Sequence, residues 1–397
     1  MKKSFLWAAI GCICLILSAC DWLGSNNYIS VQLEDSEMWS LLDAKKGEVV
    51  FADEFFSPST QVVKGSFFVQ NKKGKFDLYN LDDTRNRLNR TSYSIISSFN
   101  KDGYAIVRVK NEPWQIINTK GETLSTLNKN IIILSGFSDD GLARFTNKKN
   151  QVGYINTKGE VVIKPRFVFG TVFSDGVAFV INKQTGGVNH CLAINTKGEI
   201  LYRFTDSKFS GMTLYQDGYC FAVEDGKVVL LDKDGRKVMR VCKATVEANS
   251  LSIHDGKVTY FDGEYYGVKD LEGKILIRAK YRYLKFNGDG TLTALNTSNS
   301  YGVVNTNDEI VMPFEYEFLA YLTKGRYLSR SANVFVLIDE SGKEIGTMGF
   351  NNFYDPNDYF SLSRKFDLIV SPTDGNASEY DDARANYFQN LMDSSSN

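Results

Sequence analysis

The sequence has little histidine, little proline and almost no net charge. It contains 2 histidines (His190 and His254) and 6 prolines in 397 residues, and 46 Lys and Arg nearly balance 47 Asp and Glu. Two isolated histidines are too few for a His-rich metal centre. The balanced charge argues against a surface that binds nucleic acid. We therefore predict no metal, no cofactor and no nucleic-acid partner.

The sequence also lacks the local motifs that announce an active site. It has no zincin helix, no nucleophile elbow and no glycine loop of the kind that cradles phosphate. His190 stands next to Cys191, but neighbouring residues of a strand point to opposite faces and cannot pair simply as base and nucleophile. These absences favour a protein that is not an enzyme.

The 6 cysteines are not spaced as a metal site or a dense disulfide framework. Cys191, Cys220 and Cys242 lie within apolar segments such as Tyr219–Val223, where cysteine usually behaves as a small hydrophobic residue. We predict buried thiols at these positions. One disulfide between neighbouring units is the alternative.

What the chain does contain is a repeat. A tight turn opened by Asn or Asp recurs along the chain, and successive turns are 34 to 39 residues apart. The three strongest copies are the segments Asn118–Glu122, Asn156–Glu160 and Asn195–Glu199. The turn residues that we use to number units 1 to 9, each the fourth of its turn except Gly47, the fifth, are Gly47, Asp83, Gly121, Gly159, Gly198, Gly235, Gly273, Asp308 and Gly342.

Backbone sterics explain the residues of this turn. The Asn or Asp side chain can bond the backbone two residues further on, and a later Gly accepts a positive φ. The flanking segments 152–155 and 160–163 are rich in β-branched and aromatic residues. A second Gly stands 14 to 19 residues before the turn in most units, as in Gly141 and Gly176. Each unit is therefore predicted to be a meander of three or four strands.

These units resemble the WG repeat of bacterial proteins. The resemblance is carried by Gly153-Tyr154-Ile155-Asn156, by Val162–Phe167 and by Phe173–Ala178. The family is named for a Trp-Gly pair four residues before the turn-opening residue. In this chain the Gly survives as Gly153, Gly267 and Gly302, and the aromatic position is filled by Trp39, Phe76, Trp114, Tyr266, Tyr301 and Phe335. The resemblance implies a β-rich array and brings no catalytic residues.

The regular period predicts one all-β body of tandem meander repeats. Three or four short strands in about 37 residues match a propeller blade. A propeller-like ring would remove exposed edges, whereas the alternative, an open β-solenoid, would need capped ends. We assign residues 28–346 to the repeat array, 347–377 to a degenerate terminal repeat or cap, and 378–397 to a short helix and disordered tail.

The N-terminus predicts a lipid anchor. Lys2 and Lys3 precede an apolar run that is too short to cross a bilayer, followed by Leu17-Ser18-Ala19-Cys20. This pattern resembles the lipobox of bacterial lipoproteins. Residues 1–19 would be the signal peptide, Cys20 the lipidated N-terminus, and 20–27 a tether. The membrane and the face that carry the protein stay open.

Two kinds of surface residue are candidates for ligand contact. Exposed aromatic rings stack on sugars or peptide side chains, and Tyr215, Tyr265, Tyr283 and Tyr321 lie at or near predicted inter-strand loops. Packing between neighbouring units is the alternative role for these rings. The segments Asp232–Gly235 and Asn287–Gly290 suggest calcium loops, but neither has the full ligand set, so turns are the better interpretation.

Together these patterns favour a non-enzymatic, lipid-anchored protein of the bacterial cell envelope. Its repeat surface would bind a protein or glycan partner or act as a scaffold. Two alternatives stay open. One is a glycan-directed hydrolase whose carboxylates come from distant positions and leave no local motif. The other is a structural spacer.

Overall fold

A computed structural model describes residues 27–370, apart from 35, 84, 183–189, 206–207, 210, 245–250, 332–333, 347–348 and 355–367. The regular structure in these residues is β-strand. None of them belongs to a helix with the length and apolar character needed to cross a membrane. The signal peptide, Cys20, most of the tether and the C-terminal helix predicted above lie outside the described residues.

The strands of units 1 to 4 alternate with short turns. They are β1 (Tyr28–Leu33), β2 (Trp39–Asp43), β3 (Glu48–Phe55), β4 (Ser66–Gln70), β5 (Phe76–Asn80), β6 (Ile95–Ser97), β7 (Tyr104–Arg108), β8 (Gln115–Asn118), β9 (Thr123–Thr126), β10 (Ile132–Phe137), β11 (Leu142–Thr146), β12 (Val152–Asn156) and β13 (Val161–Phe167).

The strands of units 5 to 9 follow the same order. They are β14 (Phe169–Gly170), β15 (Val177–Ile181), β16 (His190–Asn195), β17 (Ile200–Thr205), β18 (Gly211–Met212), β19 (Tyr219–Glu224), β20 (Lys227–Asp232), β21 (Lys237–Lys243), β22 (Ile253–His254), β23 (Lys257–Phe261), β24 (Tyr266–Asp270), β25 (Ile275–Tyr281), β26 (Tyr283–Phe286), β27 (Thr291–Leu295), β28 (Tyr301–Asn305), β29 (Ile310–Tyr316), β30 (Leu319–Thr323), β31 (Arg326–Ser331) and β32 (Val334–Asp339). Two more strands are β33 (Phe350–Tyr354) and β34 (Leu368–Val370).

The described strands form eight antiparallel sheets, which are the blades of a propeller. Five sheets have four strands in chain order, which we call a, b, c and d from the inner to the outer edge. Unit 2 contributes only the pair β4-β5, and unit 3 carries the extra strand β34. The seven-stranded sheet, β3-β2-β1-β33-β32-β31-β30, combines units 9 and 1. The nine units therefore occupy eight sheets.

Strand β33 joins the two ends of the chain. Its first residue, Phe350, pairs with Phe335 of β32, and the strand then pairs with β1 from Leu33 to Ser30. It therefore supplies the inner strand of unit 1, whose other strands come from the N-terminal end of the array. The ring is closed by this pairing, so the propeller prediction is confirmed and the open solenoid is not formed.

Apolar clusters between neighbouring units run around the whole ring. Each cluster joins the strands of one unit to those of the next, for example Phe68 and Leu78 of unit 2 with Ile96 and Ala105 of unit 3. The cluster between the last and first units contains Leu322, Leu328, Leu337, Ile29, Val31 and Leu42. Burial of these side chains is the main stabilising term, at about 1.5 to 3 kcal/mol for each large aliphatic or aromatic residue.

The c–d turn is fixed by its own hydrogen bonds. Asn156 Oδ1 accepts from the backbone N–H groups of Lys158 and Glu160, both at 3.0 Å. Asn156 Nδ2 donates to Glu160 Oε2 at 2.8 Å, which explains why Glu follows the Gly. Gly159 has a φ of 83°, and a Cβ there would lie 2.9 Å from Leu127 of the preceding unit. The turn thus needs Gly both for its φ and for contact between units.

A different contact explains the Gly that follows the aromatic position. Gly153, Gly267 and Gly302 have no left-handed φ, yet a Cβ on them would lie 2.5 to 3.0 Å from the carbonyl oxygen of the outer strand. In these units strand d has two extra residues, as where Val152 and Tyr154 pair with Phe167 and Ile163. The bulge presses strand d onto strand c. Where it is absent, as in units 3 and 5, Gln115 and Leu192 stand at this position, and in unit 1 a bulge of the same length accepts Ser40.

The outer strands also show how the ring avoids pairing with other chains. Strand d is the outer edge of each complete blade, and its start exposes aliphatic residues such as Val161 and Ile310, the latter 65% exposed. Pro165 and Pro313 lie in the bulged part of β13 and β29. Proline is tolerated at edge strands because it has no N–H to donate, and it blocks further strand addition.

Alternation of strand direction gives the ring two faces. The a–b and c–d turns lie on one face, which we call the turn face. The b–c loops and the d–a junctions lie on the other, which we call the loop face. A salt bridge of 2.9 Å joins Asp175, in an a–b turn, to Lys233, in the c–d turn of the next unit. The two kinds of turn therefore lie on the same face.

Candidate ligand-binding surface

Two of the four tyrosines predicted at loops serve packing instead. Tyr215 is buried, its hydroxyl donates to the Asp232 carbonyl at 2.7 Å, and it lies 2.8 Å from the hydroxyl of Tyr202. Tyr321 is half-buried and its ring meets that of Tyr327 edge-on at 5.5 Å. For these two residues the packing alternative is confirmed.

The other two tyrosines lie on the loop face. Tyr265 lies in the b–c loop of unit 7, and Tyr283 begins strand a of unit 8. Arg282 occupies the junction between them in the chain, and its charge acts on Tyr265. The neighbouring b–c loop brings in Asn299, which lies just before Tyr301 in strand c. We call these five residues the loop-face patch.

Hydrogen bonds hold the centre of the patch. The Arg282 backbone N–H donates to the Leu295 carbonyl at 2.8 Å, which fixes the junction to strand b of unit 8. Its guanidinium Nη1 donates to Asn299 Oδ1 at 2.6 Å. Asn299 has a φ of 62°, a left-handed conformation that Asn tolerates better than most residues. Arg282 remains exposed, so its other N–H groups can reach a ligand.

The aromatic rings give the patch its apolar part. Tyr283 and Tyr301 are half-buried and their rings meet edge-on, with centroids 6.4 Å apart. The pKa of the Tyr265 hydroxyl is raised because it bonds the carboxylate of Glu264, and the positive charge of Arg282 opposes this shift. The phenol therefore stays protonated. An exposed guanidinium beside tyrosine rings can bind carboxylate or hydroxyl groups while the rings stack on an apolar face.

The two segments that suggest calcium loops form turns. Asp232 Oδ1 accepts from the backbone N–H groups of Asp234 and Arg236, at 3.0 and 2.8 Å. Asp289 Oδ1 accepts from both the N–H and the hydroxyl of Thr291, at 3.0 and 2.6 Å. These carboxylates bond their own turns, in agreement with the interpretation as turns.

Aspartates on the turn face link neighbouring units. Asp140 Oδ1 accepts from the Gly176 backbone N–H of the next unit at 2.9 Å. Asp175 in turn accepts from the Gly218 N–H one unit further on, at 2.5 Å. His254 Nδ1 lies 3.6 Å from Asp217 Oδ2 on the same face. Since each a–b turn bonds the next, these residues are part of the frame that supports the loop face.

Asp140 should make stability depend on pH. Burial raises the pKa of Asp140, and the nearby Asp175 and Asp139 add to the rise, whereas the Gly176 N–H lowers it. Because the folded pKa exceeds the unfolded value, the folded state holds more protons between the two values. This part of the stability is therefore lost as the pH rises through that window.

We expect Asp140→Asn to raise the melting temperature at about pH 7, because Asn keeps the acceptor for Gly176 and removes the charge. The gain should shrink as the pH falls towards about 4, the usual range of a carboxyl group. Calorimetry of both proteins across this range measures it. An unchanged or lower melting temperature at neutral pH would contradict the structural account.

The cysteines lie in the core. Cys191, Cys220 and Cys242 are buried thiols, as predicted. Burial raises the pKa of Cys220 to about 12, so it has almost no thiolate at neutral pH and little reactivity. His190 begins β16 and pairs in register with Thr205, whereas Cys191 pairs with Phe204.

The fold and the repeat define the class of this protein as a β-propeller built from short tandem units. The WG containing repeat family matches it at residues 153–183 and 301–328. The chain therefore contains WG repeats at these two places, in agreement with the resemblance seen in the sequence. No curated protein matches the chain.

Among solved structures, the chain is similar to the crystal structure of a eukaryotic initiation factor, with 11% identity and a TM-score of 0.56 over 89% of this chain and 100% of that one. It is also similar to BamB from Moraxella catarrhalis, with 9% identity and a TM-score of 0.34 over 72% of this chain and 93% of that chain. At these identities the likeness to the initiation factor shows the propeller fold alone.

Sequence reasoning missed Arg282 and Asn299. Arg282 stands beside the predicted Tyr283, but its role depends on a loop of the next unit, 17 residues away in the chain. One sequence feature could have pointed to Asn299: it lies in a polar loop, two residues before Tyr301, the aromatic position of unit 8. The pairing itself could not be seen without knowing that d–a junctions and b–c loops share a face.

Proposed function

We propose that this protein is a non-enzymatic, lipid-anchored envelope protein that binds a protein or glycan partner through the loop-face patch. The observation that carries the proposal is the hydrogen bond of the exposed Arg282 to Asn299 beside the ring pair Tyr283–Tyr301, where the charge of Arg282 also acts on Tyr265 of unit 7. Tyr and Arg are the residues most often found at the energetic centre of binding surfaces. The patch offers stacking and hydrogen bonding, and the carboxylate beside it, that of Glu264, is bonded to the Tyr265 hydroxyl.

A rigid support favours this role. Tyr281, next to Arg282, donates its hydroxyl to Asp308 Oδ1 at 2.8 Å, and its ring stacks on Phe314 at 5.7 Å. These contacts join the end of strand d of unit 7, next to the junction, to the c–d turn and strand d of unit 8. Since the patch is held in place before a ligand arrives, little conformational entropy is lost on binding.

The direction of the first strand orients the patch relative to the proposed anchor. Tyr28, at the start of β1, pairs with Asp43, which opens the c–d turn of unit 1. Tyr28 therefore lies at the turn face. Residues 20–27 span at most about 28 Å when extended. A lipid on Cys20 would hold the turn face towards the membrane and leave the loop face pointing away, where a partner can reach it.

Binding by the patch can be tested with Arg282→Ala. We expect a panel of polysaccharides and purified envelope proteins to contain a ligand that binds the wild type and binds the variant about tenfold or more weakly. Surface plasmon resonance measures both affinities. The control is Arg236→Ala, which removes an exposed arginine of the turn face.

The expected result is normal binding by Arg236→Ala and lost binding by Arg282→Ala, with both variants melting like the wild type. If a ligand binds Arg282→Ala as tightly as the wild type, binding through the loop-face patch is refuted. A panel without any ligand would count against a binding role and favour the structural spacer.

The anchor is tested separately with Cys20→Ala. Cells fed a clickable fatty acid should label the wild type and not the variant, because the lipid is attached to the Cys20 sulfur. Protease treatment of intact cells then reports whether the protein is on the surface. Label that persists in Cys20→Ala, or a wild type without label, would remove the anchor and leave a secreted or periplasmic protein.

A further inference from the structure

The inner strand of unit 3 is paired on both of its edges. β6 pairs with β7 through Ile95 and Ile96, and with β34 through all three of its residues. The register of the second pair is Leu368 with Ser97, Ile369 with Ile96 and Val370 with Ile95, antiparallel. Strand a is the inner edge of a blade, so β34 lies on the side of β6 that faces the ring axis.

The backbone of β6 can pair with a second strand at Ser97. Ser97 has no pair in β7, and its side-chain Oγ accepts from the Ile106 N–H at 3.0 Å. The Ser97 side chain thus accepts the hydrogen bond of the Ile106 N–H in β7, while the Ser97 backbone pairs with Leu368. An open strand edge with free N–H and C=O groups is a ready template for another extended segment.

The strand β6 itself is buried. Ile95, Ile96 and Ser97 are all at most 4% exposed, and β34 also approaches β10 of the next unit. The segment that occupies the edge reads Leu368-Ile369-Val370 and is soon followed by Pro372. An extended run of aliphatic residues therefore fits this place, whereas charged residues would lose their hydration.

We propose that the inner edge of β6 is a strand-addition site for an extended aliphatic segment of a partner protein, and that Leu368–Val370 occupies it in the free chain. The pairing covers only three residues. Each backbone hydrogen bond contributes about 1 kcal/mol net, so a longer partner strand can replace it. This site is separate from the loop-face patch and does not depend on it.

The probe is a fluorescein-labelled heptapeptide with the sequence of residues 366–372, Phe-Asp-Leu-Ile-Val-Ser-Pro. Its affinity is measured by fluorescence anisotropy for the full-length wild type and for full-length Ile369→Pro. Proline has no N–H and a fixed φ, so the variant's own segment should leave the edge. The control peptide carries Pro in place of its central Ile.

We expect the probe to bind Ile369→Pro at least about tenfold more tightly than the wild type, because the internal strand no longer competes. The control peptide should bind neither protein. Equal affinity for both proteins, or no binding to either, would overturn the proposal.

A second measurement does not depend on the folding of the variant. Amide hydrogen exchange of the wild type is recorded with and without excess probe. Exchange at 368–370 should become faster on addition of the probe, while 95–97 stay protected. Unchanged protection at 368–370 would overturn the proposal.

Discussion

A chain that ends at Gly349 should lose its cooperative unfolding transition, whereas a chain that ends at Pro356 should keep it. The shorter chain lacks β33, which is the inner strand of unit 1. Without it, the inner side of β1 becomes an exposed edge and the seven-stranded sheet separates into two pieces. The longer chain keeps all of β33 and serves as the matched control.

The size of the effect follows from the apolar cluster between units 1 and 9, which would open if the two units separate without β33. Ile29 and Val31 of β1 are at most 1% exposed and belong to the cluster that joins the first and last units. Exposing two such side chains costs about 3 kcal/mol or more. The lost strand pairing adds to this loss. Circular dichroism during thermal unfolding reports the transition of both chains.

Equal melting of the two truncated chains would contradict closure by β33. It would mean that the ring holds together through the other contacts between units 9 and 1, such as Gly47 against Ile345. The chain that ends at Pro356 also lacks β34. Its stability therefore separates the contribution of β34 from the contribution of closure by β33.

The second large effect is expected for Gly267→Ala. A Cβ at Gly267 would lie 2.5 Å from the Ile277 carbonyl oxygen and 2.8 Å from the Ala279 amide nitrogen. Both atoms belong to the backbone of the outer strand and cannot turn away as a side chain could. We expect a loss of about 3 kcal/mol in the free energy of unfolding, at the upper end for overpacking.

The matched control is Gly273→Ala in the c–d turn of the same unit. Gly273 has a φ of 86°, but no described atom outside the turn lies within 4 Å of the position that a Cβ would take. Only the left-handed backbone opposes Ala there, which costs about 1 to 2 kcal/mol. Urea unfolding of both variants measures the difference. Equal losses would show that contact with the bulge is not what requires Gly267.

The sequence predicted the fold well because each unit carries its own turn signal. Asn156, Gly159 and Glu160 bond one another within five residues, so the signal is local and repeats with the fold. Propeller and solenoid could not be separated in this way. The decision rests on Phe350–Tyr354, which pairs with residues more than 300 positions earlier in the chain.

The candidate site was only half visible for the same reason. Tyr265 and Tyr283 could be selected as aromatic residues near loops, and the structure places them on one face. Tyr215 has the same local sequence character but is buried between units, where its hydroxyl bonds the Asp232 carbonyl. Burial of this kind depends on how neighbouring units pack. The Arg282–Asn299 contact joins residues 17 positions apart in the chain and likewise has no local pattern.

Pairing of Phe350–Tyr354 closes the ring, and the orientation of both faces depends on this closure. Amide hydrogen exchange of the intact protein reports on this pairing. We expect the amides of β33 to exchange as slowly as those of its partner, β1. Exchange of β33 at the rate of a free peptide, while β1 stays protected, would contradict closure by this strand.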